Sequence, residues 1–412
     1  MLTQSHDPSV VATRARRPAS ALASRLDAIL LSGCALALLT RITVFIRQRG
    51  GESFDRVDTA AALQIGIVAV TLLLLTAFAG SLRILWSRLA GSSARAWLTY
   101  LGLGALSAVW SLHPAYSMYR AVEVLSQTLA LLIVVGAAPD SKEGERRCLG
   151  LAWIALALDV IGHYRFTSGF AWGTQSNSFS AIAAMIGAYS LVEALGSSGR
   201  RATLLYAGAG LALSILIMGS SLASWWALLT GVLAAVVLGR RGGPLMLVVI
   251  VLVMLMLVLD PGVLTTLLLR NKPAEQLGSL HGRTLLWSHF WQLYLEQPLL
   301  GYGFAIGARA RSIVYTTNTH NAVISVLLGC GAVGFLAAAV MALRAGRELL
   351  LALRRRVPLS GGVLAAMITA LVNSMTLAFI GEGWMPSTFV FICFYALLNL
   401  HVRGARTEGQ GT

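Results

Sequence analysis

Charge is what this chain has least of. Asp, Glu, Lys and Arg together make up 12% of 412 residues, and only 17 are acidic. Soluble domains carry about twice that share, so a water-facing shell around a globular core is excluded. Four cysteines, Cys34, Cys148, Cys330 and Cys393, sit in or beside apolar runs without CxxC spacing, which argues against a disulfide framework or a zinc ribbon. No Asp-x-Asp pair or outward carboxylate and histidine cluster offers a divalent-metal site, so neither a metal nor another cofactor is expected. Internal repeats of 20 to 50 residues are missing too. The net charge of +15 is dispersed among short loops rather than gathered in a stripe, which excludes nucleic acid as a partner.

What the chain does have is apolar length. Hydrophobic residues make up 57% of it, in recurring windows of about 17 to 25 residues, enough to cross about 30 Å of hydrocarbon as helix. Within lipid each segment must satisfy its own backbone amides, so runs of this length are helices. The reading is an all-α, polytopic membrane protein whose membrane lipids are its solvent. About twelve spans are expected, near 27–46, 60–80, 95–111, 118–138, 148–164, 177–196, 202–218, 222–239, 243–260, 320–343, 360–380 and 385–401.

Most of the 32 Lys and Arg residues fall on one side when the amino end is placed in the cytoplasm. The opposite turns near 111–117, 218–222 and 381–384 hold no Lys or Arg, as the positive-inside rule requires. Both termini are then cytoplasmic, and the basic start of the chain reads as an uncleaved signal anchor. The expected division is a single integral membrane domain over 1–412, with tails at 1–26 and 402–412 and one large outer loop at 261–319.

That loop holds the chemistry. It carries His281, His289, Arg270, Arg283, Arg309 and Arg311, and ends against His320-Asn321 at the start of an apolar run. Within it, 281–296 places Arg283, Trp287, Trp291 and Tyr294 at helical spacing, an interfacial helix with its aromatics at headgroup level. Pro298 and the glycines of Leu300-Gly-Tyr-Gly-Phe304 end it in a turn. Arg41, Arg120, Glu123, Asp159 and Arg165 also fall toward the outer side. Arg120 can pair with Glu123 one turn on, either as a structural ion pair or as part of a site. Arginines converging there suit an anionic ligand such as a lipid phosphate or pyrophosphate, since the guanidinium fork grips phosphate oxygens and keeps its charge near lipid. His320, at the water-facing start of a helix, is the candidate base.

The residues after His320 sharpen this reading. His320-Asn321, nine residues, then Gly331-Ala-Val-Gly334 resembles the HN-x9-GxxG signature of the O-antigen ligase family, within the O-antigen ligase and polymerase superfamily. Ala108-Val-Trp-Ser111 through His113-Pro-Ala-Tyr-Ser-Met-Tyr-Arg120 is similar to the family's WS-x-x-P…R opening of its fourth span. Arg165-Phe-Thr-Ser-Gly-Phe170 leading to Asn177 resembles its R-x-x-G-x-F…N outer loop. Gly282-Arg283 to Trp287, then Pro298-Leu-Leu-Gly301-Tyr-Gly303-Phe304, resembles its GR-x-x-x-W…P-x-x-GYGF block. The blocks keep the family's order over roughly 100–340.

The resemblance implies a metal-independent glycosyltransferase of the GT-C kind in the bacterial inner membrane, with its site facing the periplasm. The donor would be a glycan on undecaprenyl pyrophosphate and the acceptor the lipid A core of lipopolysaccharide. His320 would be the base, and Arg165 and Arg283, joined by Arg120 and Arg309, would hold the pyrophosphate. Two alternatives stay open. A polymerase would place the same donor glycan on another lipid-linked repeat. A secondary transporter would carry charges near the midplane and matching broken helices.

Overall fold

A computed structural model describes residues 28–29, 32–33, 35–36, 59–77, 92–135, 138–167, 176–219, 221–239, 283–310, 318–355, 357, 360–383 and 385–408. Among these residues the protein is all helix and turn, without strand. Its helices are α1 (Thr59–Ala77), α2 (Ser93–Leu106), α3 (Pro114–Val134), α4 (Ser141–Thr167), α5 (Ser176–Leu195), α6 (Gly199–Gly219), α7 (Leu222–Gly239), α8 (Arg283–Glu296), α9 (Ala322–Arg354), α10 (Ser360–Ser374) and α11 (Pro386–Glu408). Five of them, α3 to α6 and α9, are long and apolar enough to cross a membrane, and α1, α7, α10 and α11 contain shorter apolar helices. The chain is a multi-pass helical membrane protein. The expected spans 27–46 and 243–260 lie mostly or wholly outside the described residues, as does much of the 261–319 loop.

Helix α5 is the axis of the bundle. Its Ala181, Ala183, Ala184, Gly187 and Ala188 let neighbouring backbones approach closely, and α4, α6, α7, α10 and α11 all pack against it. Gly187 shows why small residues are needed: a Cβ there would meet Leu228 at 3.3 Å and Ala212 at 3.5 Å. Helix α6, by contrast, turns Leu204, Leu211, Ile217 and Met218 outward, an apolar face suited to lipid. On the other flank α2 packs on α3 and α9, α1 on α3, and α8 lies on α9.

Two helices run beyond their apolar windows, and local chemistry explains each. Helix α4 begins at Ser141 instead of 148, because Asp140 accepts the Glu143 amide at 2.8 Å and Glu143 pairs with Arg146 and Arg147 at 2.8 Å, a capped and ion-paired first turn. Helix α9 continues to Arg354 instead of stopping at 343. Met341, Ala345, Glu348, Leu349 and Ala352 stay buried at helical spacing, so packing carries it past the hydrocarbon and puts Arg344 and Arg347 on the helix. Such termini are where hydropathy is least informative.

Candidate active site

The site is built where four sequence blocks meet at one end of the bundle. The corner joining α2 to α3 (residues 107–117) is wired to the loop after α8. Trp110 Nε1 donates to the Leu300 carbonyl at 3.0 Å, and the Leu112 amide donates to the Tyr302 carbonyl at 3.3 Å. Phe304 is held at both ends: its amide donates to Ser107 Oγ at 2.8 Å and its carbonyl accepts from Ser117 Oγ at 3.0 Å. Gly303, at φ +109°, is required by this closeness, because a Cβ there would strike Ser111 and come within 2.8 Å of Ser117 Oγ.

The same loop breaks helix α9. Gly331 has φ +64° and ψ −162° inside the helix, so the amides of Ala332 and Val333 leave their partners four residues back. They donate instead to the Pro298 and Leu299 carbonyls at 2.8 and 3.3 Å, while the released Leu328 and Gly329 carbonyls accept from the Tyr302 and Gly303 amides, both at 2.8 Å. Two helical bonds give way to four across the junction, so these amides and carbonyls all keep a partner, which is what keeps an interrupted helix affordable in an apolar layer. Only glycine fits: a Cβ on Gly331 would run into the Leu299 carbonyl, and one on Gly301 (φ +66°) would lie 2.5 Å from the Leu328 carbonyl. A Cβ on Gly334 would meet Cys330 of the turn before it.

His320 stands at the head of this broken helix. Asn321 caps it, its side chain accepting the Val323 and Ile324 amides at 2.9 and 3.2 Å while Nδ2 donates to the Met375 carbonyl at 3.3 Å. Such a cap contributes about 1 kcal/mol. His320 itself is left-handed, with φ +51°, a conformation that costs an L-residue about 1–2 kcal/mol. The segment is held there by its neighbours. The His320 amide donates to Asn318 Oδ1 at 2.7 Å, and Trp287 Nε1 of α8 donates to the Thr319 carbonyl at 3.0 Å. Thr319 in turn donates to Glu382 Oε1 through its amide at 3.3 Å, and its hydroxyl lies 3.4 Å from the same oxygen. Ser325 Oγ donates to that oxygen at 3.1 Å.

Cations gather around this head. Burial, and then the nearby Arg283 guanidinium, hold the His320 imidazole down to about 4, so it is neutral at ordinary pH, and its Nδ1 is buried without a hydrogen-bond partner. Burial also lowers Arg283. Arg309 donates to the Ala305 carbonyl at 3.0 Å and lies over the Tyr116 ring at 5.7 Å. The Arg120 guanidinium lies over the same ring at 5.0 Å and donates to Glu123 at 2.8 Å. Tyr116 thus stands between two cations. The quadrupole of its ring attracts both. Burial raises Glu382, opposed by the Arg309 charge and its three hydrogen bonds. Among the described residues no group of three or more His, Cys, Asp and Glu side chains is placed to hold a metal ion.

Residues 194–339 match the protein-family model described as O-antigen ligase. Over that segment the chain is similar to the O-antigen ligase family. No curated protein matches it. The matched segment takes in α8, the 298–304 loop, His320-Asn321 and the Gly331 break, whereas the 107–117 corner and Glu382, which complete the junction, lie outside it.

Of the residues singled out in the sequence, the structure brings together His320, Asn321, Arg283, Trp287, Gly301, Gly303, Gly331 and Gly334 around one loop and one helix start. Arg309 and Arg120 flank them, Arg120 in the ion pair with Glu123 that the spacing allowed. Arg165 lies near the end of α4 with its side chain outside the described residues, as are Arg41, Arg270, Arg311 and His281. Helix α8 is described from Arg283 and ends at Glu296, where the expected helix ends. Phe290 and Leu293 are buried against Tyr302, Ile306 and Leu328, while Trp291 is 48% exposed. Sequence reading missed Tyr116 and Glu382. Tyr116 lay inside a quoted block, one turn before Arg120. The carboxylate sits in a four-residue turn with no patterned neighbour, and only its distant partners reveal it.

Proposed function

We propose that the protein is an O-antigen ligase acting at the outer face of the bacterial inner membrane, moving a glycan from undecaprenyl pyrophosphate to the lipid A core. On this reading the chain is one GT-C-like domain of about twelve spans, with both termini and tails cytoplasmic and the 261–319 loop periplasmic. The observation that carries the proposal is a neutral imidazole, its buried Nδ1 without a hydrogen-bond partner, held beside a guanidinium at the head of a broken helix inside the matched segment.

The chemistry follows from the charges. An acceptor hydroxyl attacks the anomeric carbon of the donor sugar, its oxygen forms the new glycosidic bond, and the bond from that carbon to the pyrophosphate oxygen breaks. The departing pyrophosphate keeps the bonding electrons, and the anomeric centre inverts. His320 takes the hydroxyl proton, a role open to the imidazole because it is neutral. Arg283 and Arg309, joined by Arg165 from the end of α4, bind the pyrophosphate and offset its growing charge. Arg120, tied to Glu123, stands behind Tyr116 and stiffens the cluster. Trp287, Asn321 and the four glycines set the backbone.

The test is a host lacking the chromosomal gene and complemented with His320→Ala. Polymer retained on the lipid carrier, with none on lipid A core, is the expected outcome. Accumulation of single unpolymerised repeats would instead make the protein a polymerase. Full ligation would remove His320 as the base, and solute uptake by the protein in liposomes would replace the enzyme with a carrier.

A further inference from the structure

Glu382 is a buried carboxylate with no part in the proposed transfer, and its surroundings are unusually constrained. The turn that carries it is wedged between two elements of the site. On one side Gly381, at φ +85°, lies so close to the head of α9 that a Cβ would sit 2.8 Å from the Val326 amide nitrogen. On the other, a Cβ on Gly383 would sit 2.8 Å from Arg120 Cδ and 3.1 Å from its Nε. The turn therefore has little freedom, and its carboxylate is aimed at the residue before His320. Oε1 accepts the Thr319 amide and the Ser325 hydroxyl and stands within reach of the Thr319 hydroxyl. Thr319 is 1% exposed.

A left-handed His320 needs such a holder. On its far side the segment is fixed by the Trp287 indole and by the Asn321 cap. On its near side the Thr319 hydroxyl bonds Ser325 and the Asn321 backbone, Ser325 itself leans on Glu382, and Glu382 accepts the Thr319 amide. We propose that Glu382 is a positioning residue that locks the Thr319–His320 backbone and so keeps the His320 imidazole beside Arg283, fixing the base relative to the donor clamp. The inference rests on His320 being the base. It concerns geometry: what Glu382 supplies is an acceptor at one place, and its charge is secondary.

That distinction sets the experiment. Glu382→Gln keeps an acceptor oxygen for the Thr319 amide, Glu382→Ala removes it, and Thr319→Val removes the hydroxyl but leaves the amide. Each full-length variant is purified in detergent, checked for melting temperature, and assayed for glycan transfer from a lipid-linked donor across pH. Glu382→Ala should lower kcat by about 100-fold, the usual scale for displacing a catalytic group by about 1 Å, with donor KM within about threefold because the guanidiniums remain. Glu382→Gln should restore kcat to within about fivefold of the parent.

The acid limb of kcat gives a readout that a purely structural role would not move. Among the described residues the charged group acting on His320 is Arg283 from α8, whereas Glu382, with Arg309 near it, holds the preceding Thr319. Release of His320 from its buried place by Arg283 should raise that limb toward the ordinary histidine value in Glu382→Ala and leave it in place in Glu382→Gln. If Glu382→Ala fails to fold, Thr319→Val carries the test with the same sign and a smaller loss. Parent-like kcat and an unmoved limb in folded Glu382→Ala would overturn the positioning role while leaving the base intact. Equal losses in Ala and Gln would overturn it too, by making charge the requirement. Full activity in a parallel His320→Ala would instead overturn the underlying reading.

Discussion

At the end of the bundle away from His320, carboxylates meet a cation, a hydroxyl or a helix start. Glu143 pairs with Arg146 and Arg147, and Glu145 accepts from Arg201 and the Tyr189 hydroxyl. Glu193 accepts the Gly362 amide at the first turn of α10, and Glu348 accepts the Ser93 amide and hydroxyl at the first turn of α2. At the His320 end charges are matched differently. Arg120, Arg283 and Arg309 gather with a neutral imidazole, against the Glu123 and Glu382 carboxylates. The first arrangement fixes helix register and stabilises the protein through satisfied caps and pairs. The second concentrates positive charge in a partly buried place, which costs stability and has a use only if an anion arrives.

The comparison can be broken most forcefully at Gly331. Gly331→Val should prevent the exchange of bonds between α9 and residues 298–303, costing more than about 3 kcal/mol. The check is melting temperature and yield in detergent, with transfer lost in parallel. A stable, active variant would show that the break is incidental. His320→Ala comes next, lowering transfer by about 10²–10⁴-fold while leaving melting temperature near that of the parent, since the buried Nδ1 has no hydrogen-bond partner to lose.

Arg283→Gln should raise donor KM about tenfold, the loss of one charge-assisted contact, and should also move the acid limb of kcat. The base works neutral, so the parent should hold its rate down to about pH 4 and lose it below. Removing the Arg283 charge raises that limb, but burial, the larger cause, keeps it under 6.5. The same shift has a stability sign. The folded value lies below the unfolded one, so on acidification the unfolded chain takes the proton first, and stability falls between pH 6.5 and about 4.

At the opposite end, Glu348→Gln should lower stability by about 1–2 kcal/mol through a weakened acceptor at Ser93 and leave kcat unchanged. Loss of transfer there would mean that the two ends are coupled. Trp291→Ala, at an exposed position on α8, should shift melting by less than about 0.5 kcal/mol.

Much of this contrast was already legible in the order of residues. Hydropathy located the helices because lipid imposes one requirement on every backbone amide, and the Arg120–Glu123 pair followed from spacing on one helix. Helix α8 ends where expected, since Pro298 and the glycines beyond Glu296 are local signals. The aromatic spacing on α8 does not reveal its protein-facing stripe, which Phe290 and Leu293 form while Trp291 stays exposed. Glu382 was invisible for a different reason: its partners Thr319 and Ser325 lie 63 and 57 residues away, and nothing within its own turn marks it. The break at Gly331 was marked by its motif, but the rewiring it permits belongs to two segments jointly.

That rewiring also dictates an order of assembly. The amides of Ala332 and Val333 have no continuous helix to complete until the stretch from Pro298 to Gly303 is already seated, and that stretch needs the corner at Trp110 and Ser117 to receive it. Synthesis delivers the three in that sequence, corner, then loop, then helix, so α9 closes their junction like a keystone, and the turn that carries Glu382 arrives after it.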